Sequence, residues 1–568
     1  MIRLTTSSAV CTETLRAALP LYGTAATRAI EQTAAAALPP HALMQRAGLA
    51  VARLALALAP HARQVWIACG AGNNGGDGLE AAMHLHRWGR PVTVSWLGAP
   101  DHSPPDARAA WQRARNAGVP FVDEPPALAE GDLAIDALLG IGMRSARSAD
   151  TGHDHPTHHT LTRWMQHLGN GLHTLLCVDL PSGLSADTGQ PPDGAQATRP
   201  WWHAHPADRR HTLSLLSLKP GLFTAHGRDA CGWIGYDDLG IAPHAQATPT
   251  AWLNAAPERR ARPHASHKGS HGDVAVVGGA PGMRGAAVLA AQAALQAGAG
   301  RVYLQWLDAP ENVAADSGMP AMPATPAFPA MPAFPADLMT RPWTGHAAAD
   351  TVACGCGGGD AVRHALPALL SRTPRLVLDA DALNAIAQDT SLQALLTARA
   401  QRAGHCTVLT PHPLEAARLL GCDAGAVQAD RLHAASQLAQ RFAACVLLKG
   451  SGTVIAAPGQ VPRINPTGNA RLAIAGTGDV LAGLIAARLA QRPDTPGRSA
   501  DSSDASAHDA VHEAAYDAAY DAAFHAACAA AWEHGLAAEA NANSDHTTGL
   551  PTLTASALAQ QLQAPDAA

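Results

Sequence analysis

The sequence predicts an α/β fold built as two successive units, each around a parallel sheet. In both halves of the chain, short apolar runs alternate with helical patterns, which is typical of parallel strands linked by helices. Both units open with an apolar run (65–68 and 273–277) that leads into a glycine turn and then a helix. We expect a first domain over residues 1–240, a linker rich in Ala, Pro, His and Arg over 241–262, and a second domain over 263–568.

Length and composition limit the classes of protein to which the chain can belong. Its 568 residues suffice for two large domains, and 47% hydrophobic residues can fill more than one core, which excludes global disorder. A formal charge of −6 argues against a duplex-DNA binder, so we expect no nucleic-acid partner. Ten cysteines without a CxxC pair are too few for a disulfide scaffold and favour a reduced, cytoplasmic location.

Neither a signal peptide nor a membrane partner is expected. The N-terminus lacks a basic segment followed by an apolar one. The most apolar early stretch, 41–59, is interrupted by Arg46 and Arg53, and its apolar residues follow helical spacing. It therefore predicts a helix that faces a core rather than a membrane span. The oligomeric state stays open, a homo-oligomer included.

The apolar runs also predict the individual strands. In the first unit these are 65–68, 92–97, 133–138 and 175–178, with a helix from about Leu79. In the second unit they are 273–277, 301–305, 375–378, 406–409 and 445–448, with a helix that starts near Asp479.

Three segments have the composition of insertions. Residues 145–170 are polar and rich in histidine, and 492–508 are rich in Ser and Asp, which predicts disorder. Residues 319–336 repeat Pro-Ala units at a density that forbids a helix or a central strand, so an exposed loop is expected. Four aromatic residues after the third insertion share one face of a predicted terminal helix: Tyr516, Tyr520, Phe524 and Trp532.

The histidines of the first insertion admit two interpretations. His153, His155, His158 and His159 could ligate a metal, because histidine is a common ligand. No cysteine or acidic partner has a fixed spacing to them, however. An unstructured, solvated loop is the favoured interpretation.

The strongest motif of the first unit is CGAGNNGGDG, residues 69–78, placed between a strand and a helix. Its glycines allow a ligand to approach the backbone closely, and a helix N-terminus offers free N–H groups to an anion. Asn73, Asn74 and Asp77 add polar side chains to this turn. The run differs from both GxGxxG and a Walker loop, yet it is too polar for a turn without a ligand.

Two aspartates follow apolar strands in the same unit. Asp136 lies in IDALLGIG, and Asp179 lies in VDLPSGLSADTG. Open α/β sheets place ligand-binding groups at the carboxyl ends of their strands. A single aspartate there could be a helix cap, but three such loops in one unit favour a site.

The most informative motif of the second unit is AGTGD, in which glycines precede a predicted helix and Asp479 lies in the first turn of that helix. Backbone N–H groups there can stabilise charge on a transferring phosphoryl group. A carboxylate beside them can accept the proton of an attacking hydroxyl.

The motifs of the first unit together resemble the epimerase domain of the NAD(P)H-hydrate repair proteins. The matching motifs, in order over about residues 20–240, are LMQRAG, NNGGDG, DALLGIG, VDLPSGLSADTG and KPG (219–221). The resemblance implies a Rossmann-like three-layer fold that interconverts the R and S epimers of hydrated NAD(P)H. Since that chemistry needs acid and base groups near C6 of the ring, Asp136 and Asp179 are the catalytic candidates, with their roles left open.

The resemblance also implies ligands for this unit. A potassium ion would be held through oxygen atoms of Asn74, Asp136 and Ser182. The hydrated nucleotide would be contacted by Asn73, Asn74, Gly75, Gly76, Asp77, Gly140, Ile141, Gly142, Met143, Arg144, Ser145, Ala146 and Asp179.

The second unit resembles the ribokinase-like fold, and more closely its ADP-dependent NAD(P)H-hydrate dehydratase branch. The resemblance covers about residues 255–562 and depends on HKGSHG, LDADALN, TPHPLEAARLL, KGSGT and AGTGD. The branch has a Gly-Pro-Gly-Leu-Gly loop where this chain has Gly-Cys-Gly-Gly-Gly, and the kept spacing predicts the same turn. The implied hydrated-nucleotide contacts are Ala286, Gly355, Gly357, His412 and the catalytic Asp479; the implied ADP contacts are Lys449, Gly450, Ser451, Gly452, Thr453 and Gly478.

Leaving-group chemistry explains the expected use of ADP. Hydroxide leaves poorly, whereas a phosphorylated C6 hydroxyl leaves readily when the ring nitrogen supplies its lone pair. Asp479 would activate the hydroxyl, and a magnesium ion would bridge the nucleotide phosphates. The expected partners are therefore small molecules, hydrated NADH or NADPH and ADP, with the preference between the two hydrates and between ADP and ATP left open.

Two alternatives stay open at the level of sequence. One is a ribokinase-like small-molecule kinase fused to a nucleotide-binding scaffold domain. The other is a first domain that has lost catalysis and only binds, although such a domain would be expected to lack Asp77, Asp136 and Asp179, which are present.

Overall fold

The computed structural model describes most of the chain, and it divides into two compact units, residues 1–255 and 256–568. The described residues are 1–5, 13–142, 156–191, 200–241, 247–258, 262–307, 335–491, 505–540 and 553–562. Within them, no helix is both long enough and apolar enough to cross a membrane.

The first unit is a parallel sheet with helices on both faces. Its strands are β1 (Ile2–Arg3), β2 (Leu19–Leu21), β3 (Val65–Cys69), β4 (Val92–Trp96), β5 (Leu133–Ala137), β6 (Thr174–Val178), β7 (Arg210–Leu215), β8 (Trp233–Asp237) and β9 (Ala251–Leu253). Its α-helices are α1 (Thr24–Ala37), α2 (Ala42–Leu58), α3 (Asn73–Arg87), α4 (Pro105–Asn116), α5 (Pro156–Gly169) and α6 (Gly227–Cys231).

The strand order of the first sheet is β1-β8-β7-β6-β5-β3-β4. Within this sheet, only β1 runs antiparallel to its neighbour. Strands β2 and β9 pair with each other in antiparallel orientation. Side chains alternate across the sheet, so that Val65 and Ile67 join the core with α2, α3 and α4, whereas Trp66 packs edge-on against Trp164 of α5. The chain thus forms the three layers that the sequence predicts.

The second unit is a larger sheet with helices on both faces. Its strands are β10 (Asp273–Gly278), β11 (Arg301–Trp306), β12 (Met339–Pro342), β13 (Thr351–Cys354), β14 (Arg375–Leu378), β15 (Cys406–Leu409), β16 (Cys445–Leu448), β17 (Val454–Ala456) and β18 (Arg463–Ile464). Its α-helices are α7 (Arg284–Gln296), α8 (Val362–Arg372), α9 (Ala380–Gln388), α10 (Thr390–Arg399), α11 (Pro413–Leu420), α12 (Ala424–Ala429), α13 (Arg431–Phe442), α14 (Thr477–Ala490), α15 (Ala505–Glu539) and α16 (Ala555–Gln561).

Two separate cores cover the faces of this sheet, whose order is β12-β11-β10-β13-β14-β15-β16-β17-β18. The strands pair in parallel from β12 to β16, and β17 and β18 continue antiparallel. Val274 and Val276 pack with α7, α14 and α15, whereas Ala275 and Val277 pack with the helices of the opposite face. The second unit is therefore also a three-layer α/β structure.

The predicted insertions have different outcomes. Helix α5 begins at Pro156, so the expectation of an unstructured loop is wrong for His158 and His159, which lie on this helix and are exposed. Trp164 and Leu168, four residues apart, are buried on one face of the helix. Other parts of the three predicted insertions lie outside the described residues, namely His153, His155, 319–334 and 492–504. Residues 505–508, expected to be disordered, already belong to α15. The predicted buried face of α15 is confirmed at Tyr520, Phe524 and Trp532.

Candidate active sites

A cavity of about 480 Å³ opens in the first unit at the carboxyl edge of its sheet. The loops after β3, β5, β6 and β7 line it, and β3 and β5 are the neighbouring strands at which the strand order reverses. Open α/β sheets bind ligands at such a switch point, because the loops on either side diverge and leave a crevice.

Helix α3 places the Asn-Asn-Gly-Gly-Asp run at this cavity. The helix begins at Asn73, with Gly72 as its N-cap residue, so the run forms the first turn of the helix, whereas the sequence predicted a helix from about Leu79. A Cβ atom on Gly75 would lie 1.9 Å from the Gly70 carbonyl oxygen, and one on Gly76 would lie 2.5 Å from the Met44 side chain. The two glycines therefore let the helix start pack closely against the end of β3 and against α2.

Asp136 and Ser182 form a buried network beside the cavity. The Ser182 hydroxyl donates to Asp136 Oδ1 at 2.6 Å, and the Ser182 amide donates to Oδ2 at 2.8 Å. The amides of Leu138 and Leu139, which line the cavity, donate to Asp136 Oδ1 and to Ser182 Oγ. Burial raises the pKa of Asp136 to about 6, although these hydrogen bonds oppose the shift.

Asp179 enters the cavity from a strained position at the end of β6. Its φ of 65° is uncommon for a residue with a side chain. The Lys219 ammonium forms an ion pair with Asp179 Oδ1, and the Leu215 amide donates to the same oxygen at 3.1 Å. Lys219 is only 1% exposed, so this buried pair holds the Asp179 carboxylate in place.

Two more acidic residues share the cavity with Asp179. Burial raises the pKa of Asp77 well above its usual range, and the negative charges of Asp179 and Glu31 add to the effect. Burial likewise raises the pKa of Glu31, against a hydrogen bond from Asn73. The cavity therefore combines a carboxylate that is paired with a lysine and two carboxyl groups that hold protons more readily than usual, which suits acid–base chemistry.

The structure brings most of the predicted first-site residues together. Those that line the cavity are Asn73, Asn74, Asp77, Gly140, Ile141, Gly142 and Asp179. Gly75 and Gly76 are buried under it, and Asp136 and Ser182 lie behind the backbone of Leu138 and Leu139. Met143, Arg144, Ser145 and Ala146 lie outside the described residues.

A second site lies at the carboxyl edge of the second sheet, around Asp479. Helix α14 begins at Thr477 and carries Asp479 in its first turn. The Lys449 ammonium, after β16, donates to Asp379 Oδ1 at 2.7 Å, and a Cβ atom on Gly478 would lie 3.4 Å from that nitrogen. Burial and then the charge of Asp379 raise the pKa of Asp479 to about 6, so its carboxylate can accept a proton near neutral pH.

Asp379 is held from two sides. The Thr410 hydroxyl donates to its Oδ1 at 2.7 Å, and the ion pair with Lys449 ends on the same oxygen. Burial alone would lower the pKa of Lys449, but the charges of Asp379 and Glu415 outweigh it and raise that pKa. Lys449 is therefore a fixed positive charge beside Asp479.

His412 caps helix α11 at the same edge. Its Nδ1 accepts the Leu414 and Glu415 amides, while its own amide donates to Glu415 Oε2 at 2.8 Å. Because Nδ1 accepts, Nε2 carries the proton and faces Glu415 Oε1 at 3.2 Å. Glu415 Oε2 also lies 3.9 Å from the Lys449 ammonium, which links His412 to the charges around Asp479.

The glycine loop after β13 makes the close turn that its spacing predicts. Gly355 has a φ of 115°, and a Cβ atom there would lie 1.9 Å from the Asp379 carbonyl oxygen. Gly357 has a φ of 57°, and a Cβ atom there would lie 3.1 Å from Ala286 Cβ. The loop therefore packs closely against both Ala286 and Asp379.

A buried arginine supports the loop of Lys449, Gly450, Ser451, Gly452 and Thr453. Arg431 is 1% exposed, and its Nη2 donates to the carbonyls of Leu448 and Lys449 at 3.1 and 3.2 Å. Gly450 has a φ of 138°, and a Cβ atom there would lie 2.9 Å from the guanidinium. Ser451 is exposed, and the Thr453 hydroxyl donates to the Gly450 carbonyl at 3.1 Å.

Several residues of both sites were not assigned from the sequence. The motifs KPG, LDADALN and TPHPLEAARLL contain Lys219, Asp379 and Glu415. An aspartate after a strand or a glutamate in a first helical turn is, however, also typical of ordinary helix capping. Glu31 and Arg431 carry no local signal, because the fold alone brings them to their sites.

The fold and the two sites define a two-unit α/β enzyme with acid–base carboxylates at the carboxyl edge of each sheet. The family model described as NAD(P)H-hydrate dehydratase matches residues 274–561, and the model described as YjeF-related protein N-terminus matches residues 40–221. The chain belongs to the family of bifunctional NAD(P)H-hydrate repair enzymes, which confirms the resemblance seen in its motifs.

Relatives match across both units. A bifunctional NAD(P)H-hydrate repair enzyme of Escherichia coli (strain K12) is 33% identical over 460 residues, which cover 79% of this chain and 81% of the relative. One of Moorella thermoacetica is 36% identical and covers 76% of this chain and 79% of the relative. The crystal structure of an ADP/ATP-dependent NAD(P)H-hydrate dehydratase from Bacillus subtilis, co-crystallised with ATP and Mg²⁺, is 24% identical, with a TM-score of 0.38 over 54% of this chain and 92% of that one.

Proposed function

We propose that the first unit interconverts the R and S forms of hydrated NAD(P)H and that the second dehydrates the S form, with ADP converted to AMP and phosphate. The observation that carries the proposal is Asp479, which lies at the start of α14 beside the Lys449–Asp379 ion pair. Its pKa of about 6 suits a group that takes a proton from a hydroxyl at neutral pH.

In the second unit, Asp479 takes the proton of the C6 hydroxyl as that oxygen attacks the β-phosphorus of ADP. The first N–H groups of α14 and the Lys449 ammonium stabilise the negative charge on the transferring phosphoryl group. AMP leaves, and the C6–O bond then breaks with its electrons on phosphate while the ring nitrogen supplies its lone pair. Loss of a proton from C5 completes the elimination and restores the reduced ring.

Magnesium and the nucleotide fit the donors of this edge. The carboxylate oxygens of Asp379 are hard ligands of the kind that Mg²⁺ prefers, and the ion would neutralise phosphate charge. We place the nucleotide against Lys449, Gly450, Ser451, Gly452, Thr453 and Gly478, and the hydrated nucleotide against Ala286, Gly355, Gly357 and His412.

In the first unit, we assign proton transfer at C6 to the carboxyl groups that line the cavity. Asp179, paired with Lys219, accepts a proton, and Asp77, whose burial raises its pKa, donates one. Asp136 does not line the cavity and holds the Leu138–Gly140 loop from behind. We therefore treat Asp136 as a positioning residue.

A potassium ion fits beside Asp136. The Asp136 carboxylate is fully buried, Ser182 offers a hydroxyl oxygen, and the Asn74 amide oxygen lies 3.3 Å from the Cβ position of Gly140. A monovalent cation would supply the positive charge that this buried carboxylate lacks. Replacing potassium by tetramethylammonium should slow epimerisation and leave dehydration of the S form unchanged.

The kinase alternative makes a different product. The test is to incubate the full chain with ADP and the S hydrate and to follow the absorbance of reduced nicotinamide together with free phosphate. The proposal predicts equal amounts of NADH, AMP and phosphate. A stable phosphorylated product without NADH would contradict it and favour the kinase.

Small-molecule substrates suit an enzyme of this family. We further propose a cytoplasmic location, which the nine free cysteines of the described residues support.

A further inference from the structure

Three side chains with metal-binding atoms converge beside the proposed dehydratase site. Cys356 lies in the glycine loop after β13, Asp379 at the end of β14 and Asp479 in the first turn of α14. The Cys356 sulfur and one oxygen of each carboxylate all lie within 4.8 Å of one another. Cys356 is 1% exposed and Asp379 2%, whereas Asp479 is partly open to solvent and leaves a path for an ion.

The geometry needs only small side-chain movements to enclose an ion. A tetrahedral zinc ion with sulfur at about 2.3 Å and oxygen at about 2.1 Å spaces its ligand atoms roughly 3.5 Å apart. The Cys356 backbone is fixed, because its carbonyl accepts the Gly279 amide at 3.1 Å. Asp379 uses Oδ1 for Lys449 and Thr410, while its Oδ2 lies 3.8 Å from the Cβ position of Gly478, next to Asp479.

The charges around this cluster favour a cation. Asp379, Asp479 and Glu415 surround a single ammonium group, that of Lys449. One oxygen of Asp379 and one of Asp479 lie within 4.8 Å of each other, so the two carboxylate charges repel, and a divalent ion between them would relieve that repulsion.

We propose that Cys356, Asp379 and Asp479 bind one Zn²⁺ ion and that this ion inhibits dehydration. The Cys356 S–H bond is replaced by an S–Zn bond, and the proton passes to solvent, so no oxidant is needed. A thiolate ligand selects zinc over magnesium, which prefers oxygen. Zinc on Asp479 removes the lone pair that accepts the hydroxyl proton; this inhibitory part rests on the proposed function, whereas the binding part does not.

The test compares two variants of the full, metal-free chain, each with one cysteine replaced by serine. Cys354→Ser is the matched control, because Cys354 is equally buried but packs into the core of the opposite sheet face. Binding is measured with Cd²⁺ through the ultraviolet charge-transfer absorption of a cadmium–thiolate bond, and with Zn²⁺ by competition with a coloured chelator. Inhibition is measured as the dehydration rate of each variant with magnesium and zinc, relative to its own rate with magnesium alone.

The unchanged chain and Cys354→Ser should both show one thiolate-bound cadmium and inhibition by zinc. Cys356→Ser should lose the charge-transfer band and bind zinc at least about tenfold more weakly. Equal zinc binding by all three proteins, or inhibition that Cys356→Ser retains, would overturn the proposal. If Cys356→Ser does not fold, Cys356→Ala takes its place. A chain that binds cadmium through Cys356 but never dehydrates the S hydrate with ADP and magnesium, in the absence of zinc and cadmium, would contradict the proposed function alone.

Discussion

At the scale of single residues, both sites depend on carboxylates whose protonation is set by burial. Asp77, Asp136 and Asp479 all have pKa values above their usual range, and burial is the first cause in each case. Asp179 forms an ion pair with the buried ammonium of Lys219. Carboxyl groups that hold a proton near neutral pH can serve as acids or bases in catalysis.

The pH dependence of dehydration should report Asp479. Its pKa lies near 6, above the ordinary value of 3.8, so the carboxylate is increasingly protonated below pH 6 and cannot accept a proton. We expect kcat/KM for the S hydrate to fall about tenfold per pH unit below that point. Initial rates of NADH formation between pH 5 and 8 measure it, and a rate unchanged down to pH 5 would contradict this role.

The Lys449–Asp379 pair should be costly to break from one side. Lys449→Met leaves the buried Asp379 carboxylate without its cation, and we expect a loss of roughly 3 kcal/mol in the free energy of unfolding. Adding Asp379→Asn removes the unpaired charge and should recover part of that loss. The measurement is denaturant unfolding of Lys449→Met, Asp379→Asn and the double variant. A double variant that loses as much stability as the two single variants together would show that the two groups do not interact.

At the scale of elements, strands were predicted better than helix starts. Strands β14, β15 and β16 agree with the sequence at both ends, because buried parallel strands are continuous apolar runs. Strand β7 was missed, since Arg210, His211 and Thr212 make it polar. The start of α3 at Asn73 could not be predicted either, because glycine disfavours helices and only close packing with Gly70 and Met44 explains two of them there.

The glycine loop after β13 offers a direct test of close packing. Gly355 and Gly282 both have a positive φ, 115° and 86°, but a Cβ atom on Gly355 would meet the Asp379 carbonyl at 1.9 Å, whereas one on Gly282 would meet nothing within 4 Å. Gly282→Ala should therefore cost about 1 kcal/mol, the backbone penalty alone. Gly355→Ala should cost clearly more and slow dehydration by displacing Asp379. Denaturant unfolding midpoints and dehydration rates of both variants are the measurement. Equal losses of stability in the two variants would contradict the close approach of Gly355 to the Asp379 carbonyl.

At the scale of the whole molecule, the motifs predicted two α/β units with one site each. The order of motifs and the strand–glycine–helix openings carry that information in the sequence. The sequence does not indicate which groups pair inside each site. Lys219 and Asp179 are 40 residues apart in the chain, and Lys449 and Asp379 are 70 residues apart. Only the parallel sheets bring these loops to one edge.

The central claim is that the two activities belong to separate sites, and paired variants test it most directly. Asp479→Asn removes the base of the second unit, whereas Asp136→Asn removes the buried charge behind the cavity of the first. Both activities are measured on each purified variant: NADH formation with ADP from the S hydrate, and interconversion of the R and S hydrates followed by chromatography.

Asp479→Asn should abolish ADP-dependent return of NADH from the S form and leave interconversion intact. Asp136→Asn should do the reverse, so that the S form is repaired at the normal rate while repair of the R form falls to the spontaneous epimerisation rate. Loss of both activities in either folded variant would contradict the account and indicate one shared active site.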